Sequence, residues 1–228
     1  MIRVFIGYDP KETVAYNVLA HSINARSSQP ASICPVSLNQ LALLYRRKRG
    51  PLESTEFSFS RFLVPHICEF KGWAIFMDCD MLMLDDIAKL WALRDDRYAV
   101  QVVKHNHAPS EDTKFLANRQ TRYQKKNWSS VMLMNCEKCA ALTHDLVNMA
   151  AGLDLHQFKW LKSDDLIGEL PPRWNHLVDY DDPSNEVSLV HYTAGGPYFN
   201  ETKYCGFSYE WSREKEAMLS CKQTNSDS

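Results

Sequence analysis

Two aspartates one residue apart close an apolar run. Trp73-Ala-Ile-Phe-Met77 leads into Asp78-Cys79-Asp80, and Met81-Leu-Met-Leu84 comes next. An unbroken apolar run reads as a strand buried on both faces, as in a sheet covered by helices. Two carboxylates at its end each cost several kcal/mol to bury unpaired. A cation is expected beside them, and hard oxygen ligands select Mg2+ or Mn2+ over softer metals. A plainer reading, a polar turn in which Asp80 caps the next element, uses the same residues. Two more strand ends carry chemistry. Asp9 lies in Gly7-Tyr8-Asp9-Pro10 after the run Ile2 to Gly7, and His191 stands directly after Val187 to Val190. Asp9 serves equally as a ligand or as a turn residue before proline. The imidazole of His191 suits Mn2+ better than Mg2+. Beyond it, Tyr192-Thr-Ala-Gly195-Gly196-Pro197 offers backbone N–H groups that can approach phosphate oxygens.

The elements that must position these groups can be read from hydrophobic period. Ile2 to Gly7 is a first strand. Glu12 to Ala25 carries Val14, Val18, Leu19 and Ile23 near helical spacing, and Ala31 to Val36 fits a second strand. Strand, helix, strand predicts an α/β sheet of the doubly wound kind, whose ligands bind beyond the carboxyl ends of the strands. Leu41 to Arg49 is expected to be a mixed helix end and basic loop. Ser58 to Phe70 reads as a helix that Pro65 can kink. Arg61 lies on it among large apolar residues, and an anion near the Asp78 strand end would give it a bidentate partner. Asp85-Asp86 is expected to open a helix through Ile87, Leu90, Trp91 and Leu93. Tyr98 to Val103 is a strand. Lys104 to Asn127 is long, polar and without apolar period, as functional or mobile segments are. Ser129 to Met134 is a strand ending in Asn135, with a helix over about 137–151 after it. Lys162-Ser163-Asp164-Asp165-Leu166 opens a short helix, and Leu170-Pro-Pro-Arg-Trp174-Asn175 is a rigid turn placing an aromatic. No repeat and no linker divides the chain. Residues 1–211 read as one domain, and 212–228 as a C-terminal helix with a polar tail.

With 228 residues the chain can bury a full core, and 45% hydrophobic with 24% charged residues is ordinary for a soluble globular protein. A net charge of -2 gives no case for nucleic acid or an anionic membrane as main partner. The basic stretches Arg46-Arg47-Lys48-Arg49 and Lys125-Lys126 read as solvated loops that could meet an anionic acceptor or lipid headgroups. No apolar run reaches the roughly 18 residues of a membrane span, and Met1 to Gly7 shows no signal-peptide pattern. Seven cysteines, odd in number and often within apolar stretches, suit the reduced thiols of a cytoplasmic protein. Cys136 and Cys139 form a CxxC without a second ligand pair, so they read as a strand end entering a helix rather than a zinc or redox site.

In this order the segments resemble the GT-A glycosyltransferases, most closely the retaining glycosyltransferase family eight and its bacterial relatives. Val4 to Asp9 resembles the first strand and nucleotide-binding turn. Ser60-Arg61-Phe62-Leu63-Val64-Pro65 is similar to the Arg-containing helix before the metal motif. Phe76-Met-Asp78-Cys-Asp80 matches the DxD motif, and Asp86, Ile87, Leu90 and Trp91 match the helix after it. Ser130 to Asn135 is similar to the acceptor-side strand. Asp164-Asp165-Leu166, Leu170-Pro171 and Trp174-Asn175 resemble the Asp-rich segment and the Leu-Pro-x-x-Trp-Asn turn. The matches cover most of residues 1–200.

The resemblance implies a GT-A, Rossmann-like nucleotide-diphospho-sugar transferase fold with a mixed, mostly parallel sheet. It implies Mn2+ or Mg2+ on Asp78, Asp80 and His191. Gly7, Tyr8 and Asp9 would face the nucleoside, Arg61 the donor sugar or phosphate, and Gly195 and Gly196 the diphosphate. Asp164 and Asp165 would lie by the donor sugar. The donor would be a nucleotide sugar, UDP-linked by family pattern, and the acceptor a glycan or glycolipid such as a bacterial surface polysaccharide, with anomeric configuration retained. Acceptor choice is expected in 104–127 and the C-terminal region. One departure is clear. The family's diphosphate lysine is absent, and Gly196 stands nearest its place when Pro197 is matched to the family proline, with Lys203 the nearest later lysine. Two rival readings remain. A haloacid-dehalogenase-type phosphohydrolase also has DxD after an apolar strand, but there a Thr or Val usually holds the position of Leu82 and the motif lies near the N-terminus. A non-catalytic nucleotide- or sugar-binding protein could use the same fold.

Overall fold

A computed structural model gives the fold and describes residues 1–50, 53–105 and 125–220. Its strands are β1 (Ile2–Gly7), β2 (Ala31–Val36), β3 (Trp73–Met77), β4 (Met81–Met83), β5 (Val100–Val102), β6 (Val131–Asn135), β7 (Ile167–Glu169), β8 (His176–Leu177) and β9 (Leu189–His191). Six of them form one sheet in the order β2-β1-β3-β6-β5-β7. β1 is parallel to β2 and β3, and β5 is parallel to β7, while β6 runs antiparallel to both of its neighbours. The central strands β3 and β6 are buried almost throughout, which is why they read as unbroken apolar runs.

The apolar run around the aspartates is two strands. β3 ends at Met77, and β4 leaves for a second sheet of order β4-β9-β8. Asp78-Cys79-Asp80 is therefore the crossing between the sheets. Helix α1 (Thr13–Arg26) makes the connection that parallel β1 and β2 require. It buries Ala15, Val18, Leu19 and Ile23, and Ser22 accepts a hydrogen bond from the Met83 amide at 3.1 Å, which ties the helix to β4.

Several helices are shorter than the apolar period predicts. In place of one helix over 58–70 there is a 3₁₀ turn, Ser60–Leu63, and one turn of α2 (Val64–Ile67). Pro65 is tolerated at the start of α2, where its missing N–H has no intrahelical role, and left-handed Glu69 and Phe70 end it. Asp86 caps α3 (Ile87–Ala92) as expected, its side chain accepting from Ala88. The helix expected over 137–151 is broken. After a 3₁₀ turn at Cys136–Cys139, Thr143 accepts from the Leu146 amide and starts α4 (His144–Met149), and α5 (Gly152–His156) forms separately. A helix end in 41–49 is also absent. Asn148 instead pins that loop, accepting from Arg46 N at 2.7 Å and donating to Leu44 O at 2.8 Å. The last helix, α6 (Ser208–Leu219), begins four residues before the expected Ser212. It docks on α1 through Glu214, which binds His21 at 2.5 Å and Arg26 at 2.6 Å. No helix among the described residues is long and apolar enough to cross a membrane. Most of the 104–127 segment expected to govern acceptor choice, and the tail beyond 220, lie outside the described residues.

Candidate metal centre

The sheet crossing holds both aspartates by their backbones. Asp78 N donates to Ser130 O, and Tyr192 N donates to Asp80 O, each at 2.9 Å. Because β4 and β9 pair with Met81 opposite His191, the imidazole arrives beside the aspartates. One ligand atom from each of Asp78, Asp80 and His191 lies within 4.8 Å of the others. Ligand atoms about 2.0–2.4 Å from a shared ion stand no more than ~4.8 Å apart, so the three suit one ion. Asp80 and His191 are buried, and Asp80 Oδ1 faces His191 Nε2 at 3.5 Å.

The surroundings concentrate negative charge. Glu12, only 2% exposed, accepts a hydrogen bond from the Tyr198 hydroxyl at 2.8 Å. Burial first, then the charge of Asp80, pushes its carboxyl up to about 8; Asp9 and Asp78 add to the rise and the Tyr198 hydrogen bond opposes it. Burial, then Glu12 and the aspartates, hold the Cys79 thiol well above its usual range. Arg61 answers part of this charge. Its Nη1 lies 2.7 Å from Asp78 Oδ1, and it also donates to Ser129 O at 2.9 Å and Phe57 O at 3.3 Å. Two carboxylates and an imidazole, backed by a further buried acid, fit Mn2+ or Mg2+ by donor type and by charge.

The other expected site residues fall in three groups. Around β1, Asp9 engages both oxygens, accepting from Lys11 N at 2.9 Å as the cap of the Pro10–Glu12 turn and from Glu56 N at 3.0 Å on a distant segment. A Cβ on Gly7 would lie 2.4 Å from the Phe57 ring, so that glycine makes room for a side chain. Tyr8 stands edge-to-face with Tyr16, centroids 5.5 Å apart, and shares a hydrogen bond with Thr13. In the loop after β9, Gly195 has φ 114°, left-handed backbone that favours glycine. A Cβ on Gly196 would lie 2.4 Å from Tyr198. Lys203 is exposed, over the Tyr204 ring. Asp164 and Asp165 precede β7, whose register sets Ile167 beside Val100. They therefore enter the sheet from the end opposite Asp78. Lys125 binds Asp164 at 2.6 Å, and Ser163 donates to Asp165 at 3.0 Å.

Three residues of the centre carried no expected role: Glu12, Tyr198 and Asn175. Glu12 opens a helix, where an acid reads as a dipole partner. Asn175 ends the Leu-Pro-x-x-Trp-Asn turn and Tyr198 directly follows the Gly195-Gly196-Pro197 loop, but the groups they touch are distant in sequence. Asn175 Oδ1 lies 2.9 Å from His191 Nδ1.

No family model matches the sequence. The chain is 48% identical over 223 residues to Protein CDI of Arabidopsis thaliana, a match covering 94% of this chain and 86% of that one. Among solved structures it is similar to the galactosyltransferase LgtC in complex with donor and acceptor sugar analogs, with a TM-score of 0.59, 12% identity, and 97% and 98% of the two chains covered. It is also similar to the bifunctional glycosyltransferase WbbM, with a TM-score of 0.64 and 13% identity, and there spans about half (49%) of that chain. At such identities these likenesses show the fold. The chain thus has the GT-A fold of those glycosyltransferases, with its DxD at the crossing between sheets, and by sequence it belongs to the family of Protein CDI.

Proposed function

We propose that this chain is a metal-dependent glycosyltransferase that moves a sugar from a nucleotide-diphosphate sugar to a glycan or glycolipid acceptor. The observation that carries the reading is the Asp78, Asp80 and His191 cluster at the carboxyl end of β3 in a GT-A sheet. Sheets of this kind bind ligands at that edge. A bound Mn2+ or Mg2+ supplies Lewis-acid stabilisation of the leaving nucleotide diphosphate. Arg61 acts through Asp78, fixing one carboxylate oxygen from the dry side. The Tyr8 and Tyr16 pair offers the nucleoside an aromatic wall beside the end of β1. The Gly195 amide closes the loop on Tyr192 O at 2.8 Å, and the Gly196 amide faces the diphosphate. UDP, retention of configuration and a donor-sugar role for Asp164 and Asp165 are carried over on the resemblance alone; β7 starts these acids at the sheet end away from Asp78, and the Lys125 pair links Asp164 back to the 125–130 turn beside Asp78. The exposed Arg46, Lys48 and Arg49 give an anionic acceptor or lipid headgroup a place to meet the chain. The free thiols of all six described cysteines agree with a cytoplasmic setting.

The test is calorimetric titration of UDP, GDP and CMP, with Mn2+ and with chelator. Binding of one nucleotide that depends on Mn2+ and is lost in Asp80→Asn and weakened in His191→Ala supports the reading and names the donor class. No nucleotide binding under either condition refutes it. Nucleotide binding without transfer or donor hydrolysis would make the chain a binding protein.

A further inference from the structure

Asn175 is fully buried at the end of the Pro172–Trp174 turn, and its side chain has a readable polarity. Nδ2 donates to Ser130 Oγ at 2.9 Å and to Asn127 O at 3.3 Å. Ser130 Oγ in turn donates its hydrogen to Asn127 O at 2.6 Å, so toward Asn175 it accepts. A backbone carbonyl never donates. Turning the amide over would set its oxygen against both of these acceptors. Oδ1 therefore faces His191, 2.9 Å from Nδ1. An amide oxygen only accepts, so Nδ1 carries the ring hydrogen. In the neutral ring Nε2 then bears the lone pair, and it is Nε2 that faces Asp80 Oδ1 at 3.5 Å.

We propose that Asn175 is the positioning residue of the metal centre: it sets the tautomer and the ring plane of His191 so that Nε2 is ready to ligate. The inference rests on the metal-dependent reading above. Metal-bound histidines commonly donate their other ring N–H to a neighbour, and losing that neighbour typically costs about 10–100-fold in metal affinity. Here the neighbour is itself anchored to the 127–130 turn at the start of β6, so three chain segments, around 127–130, 175 and 191, fix one imidazole.

The first experiment needs no metal. The ring nitrogens of His191 are read by 15N NMR in chelator, with pH raised until the spectrum shows a neutral ring, and the signal is assigned by its loss in His191→Gln. The Nδ1–H tautomer is expected, and an Nε2–H tautomer in the wild-type chain overturns the proposal. Asn175→Leu is then expected to lose the single tautomer and to weaken Mn2+ binding about 10–100-fold by calorimetry. Asn175→Asp keeps an acceptor toward Nδ1 and is expected to keep the Nδ1–H tautomer, while its second oxygen, set against Asn127 O, lowers stability. Unchanged Mn2+ affinity in folded Asn175→Leu overturns the proposal. Should that variant not fold, the wild-type tautomer and the Asp variant still decide. A wild-type chain with the Nδ1–H tautomer that binds no Mn2+ would refute the metal-dependent function while supporting the tautomer assignment.

Discussion

Replacing Glu12 with glutamine is expected to stabilise the metal-free protein at alkaline pH and to remove most of the pH dependence that this residue imposes. The carboxyl is buried, and its value in the fold is about 8 against an ordinary 4.5. The folded chain thus holds that proton more tightly than the unfolded chain does. Its contribution to stability is therefore fully present below about pH 4.5 and is lost as pH rises toward 8. At roughly 1.4 kcal/mol per pH unit, the loss between about pH 5 and pH 8 is ~3–4 kcal/mol. Glutamine has the shape of the protonated acid and keeps an oxygen for the Tyr198 hydroxyl. The assay is urea unfolding of both proteins in chelator across that pH range. Wild type should lose ~3–4 kcal/mol relative to Glu12→Gln, and titrating groups that do not interact with Glu12 cancel in the comparison. Saturating Mn2+ should narrow the gap, because a dication beside Asp80 offsets the repulsion that raises Glu12. Stability curves that stay parallel from pH 5 to pH 8 would refute the reasoning.

Four other single variants extend the test. Arg61→Met takes the guanidinium from Asp78 and should cost about 3–5 kcal/mol, as breaking a buried pair does; a second change, Asp78→Asn, should recover part of the melting temperature, and no loss in the single variant would count against the pairing. Gly196→Ala drives a methyl into the Tyr198 ring and should cost about 1–3 kcal/mol, read as a fall of about 2–4 °C in melting temperature per kcal/mol. Alanine at Asp164 and at Asp165 should leave Mn2+ and nucleotide binding intact while lowering transfer. Loss of nucleotide binding in both would move these acids out of the donor-sugar role.

The parts legible in the sequence are those where local pattern and tertiary role coincide. β1, β2 and β3 are buried apolar runs with clear stops, and the cluster of Asp78, Asp80 and His191 emerges from reading the residues that stand at strand ends. The 58–70 stretch misleads because Phe59, Phe62, Leu63, Ile67 and Phe70 have helical spacing, yet left-handed backbone at Glu69 and Phe70 stops the helix. Glu12 and Asn175 are invisible as site residues for a different reason. Each is defined by a partner on another element: Tyr198 stands 186 positions from Glu12, and Ser130 stands 45 from Asn175. No local rule connects them.

The loop after β9 shows how much such distant contacts can explain. The resemblance leads one to look for a lysine near position 196, and its absence looks like a lost function. The structure gives a steric cause. The space a Cβ would need at 196 is filled by the Tyr198 ring, whose hydroxyl is committed to Glu12 beneath the metal centre. A side chain at 196 and the link between Tyr198 and Glu12 therefore exclude one another. Lys203, exposed over Tyr204, is not placed to restore the charge. Under the proposed function, neutralising an anionic diphosphate would fall to a cation on Asp78, Asp80 and His191 and to the Gly196 amide. Nucleotide binding should for that reason depend more steeply on the metal than in relatives that keep the lysine.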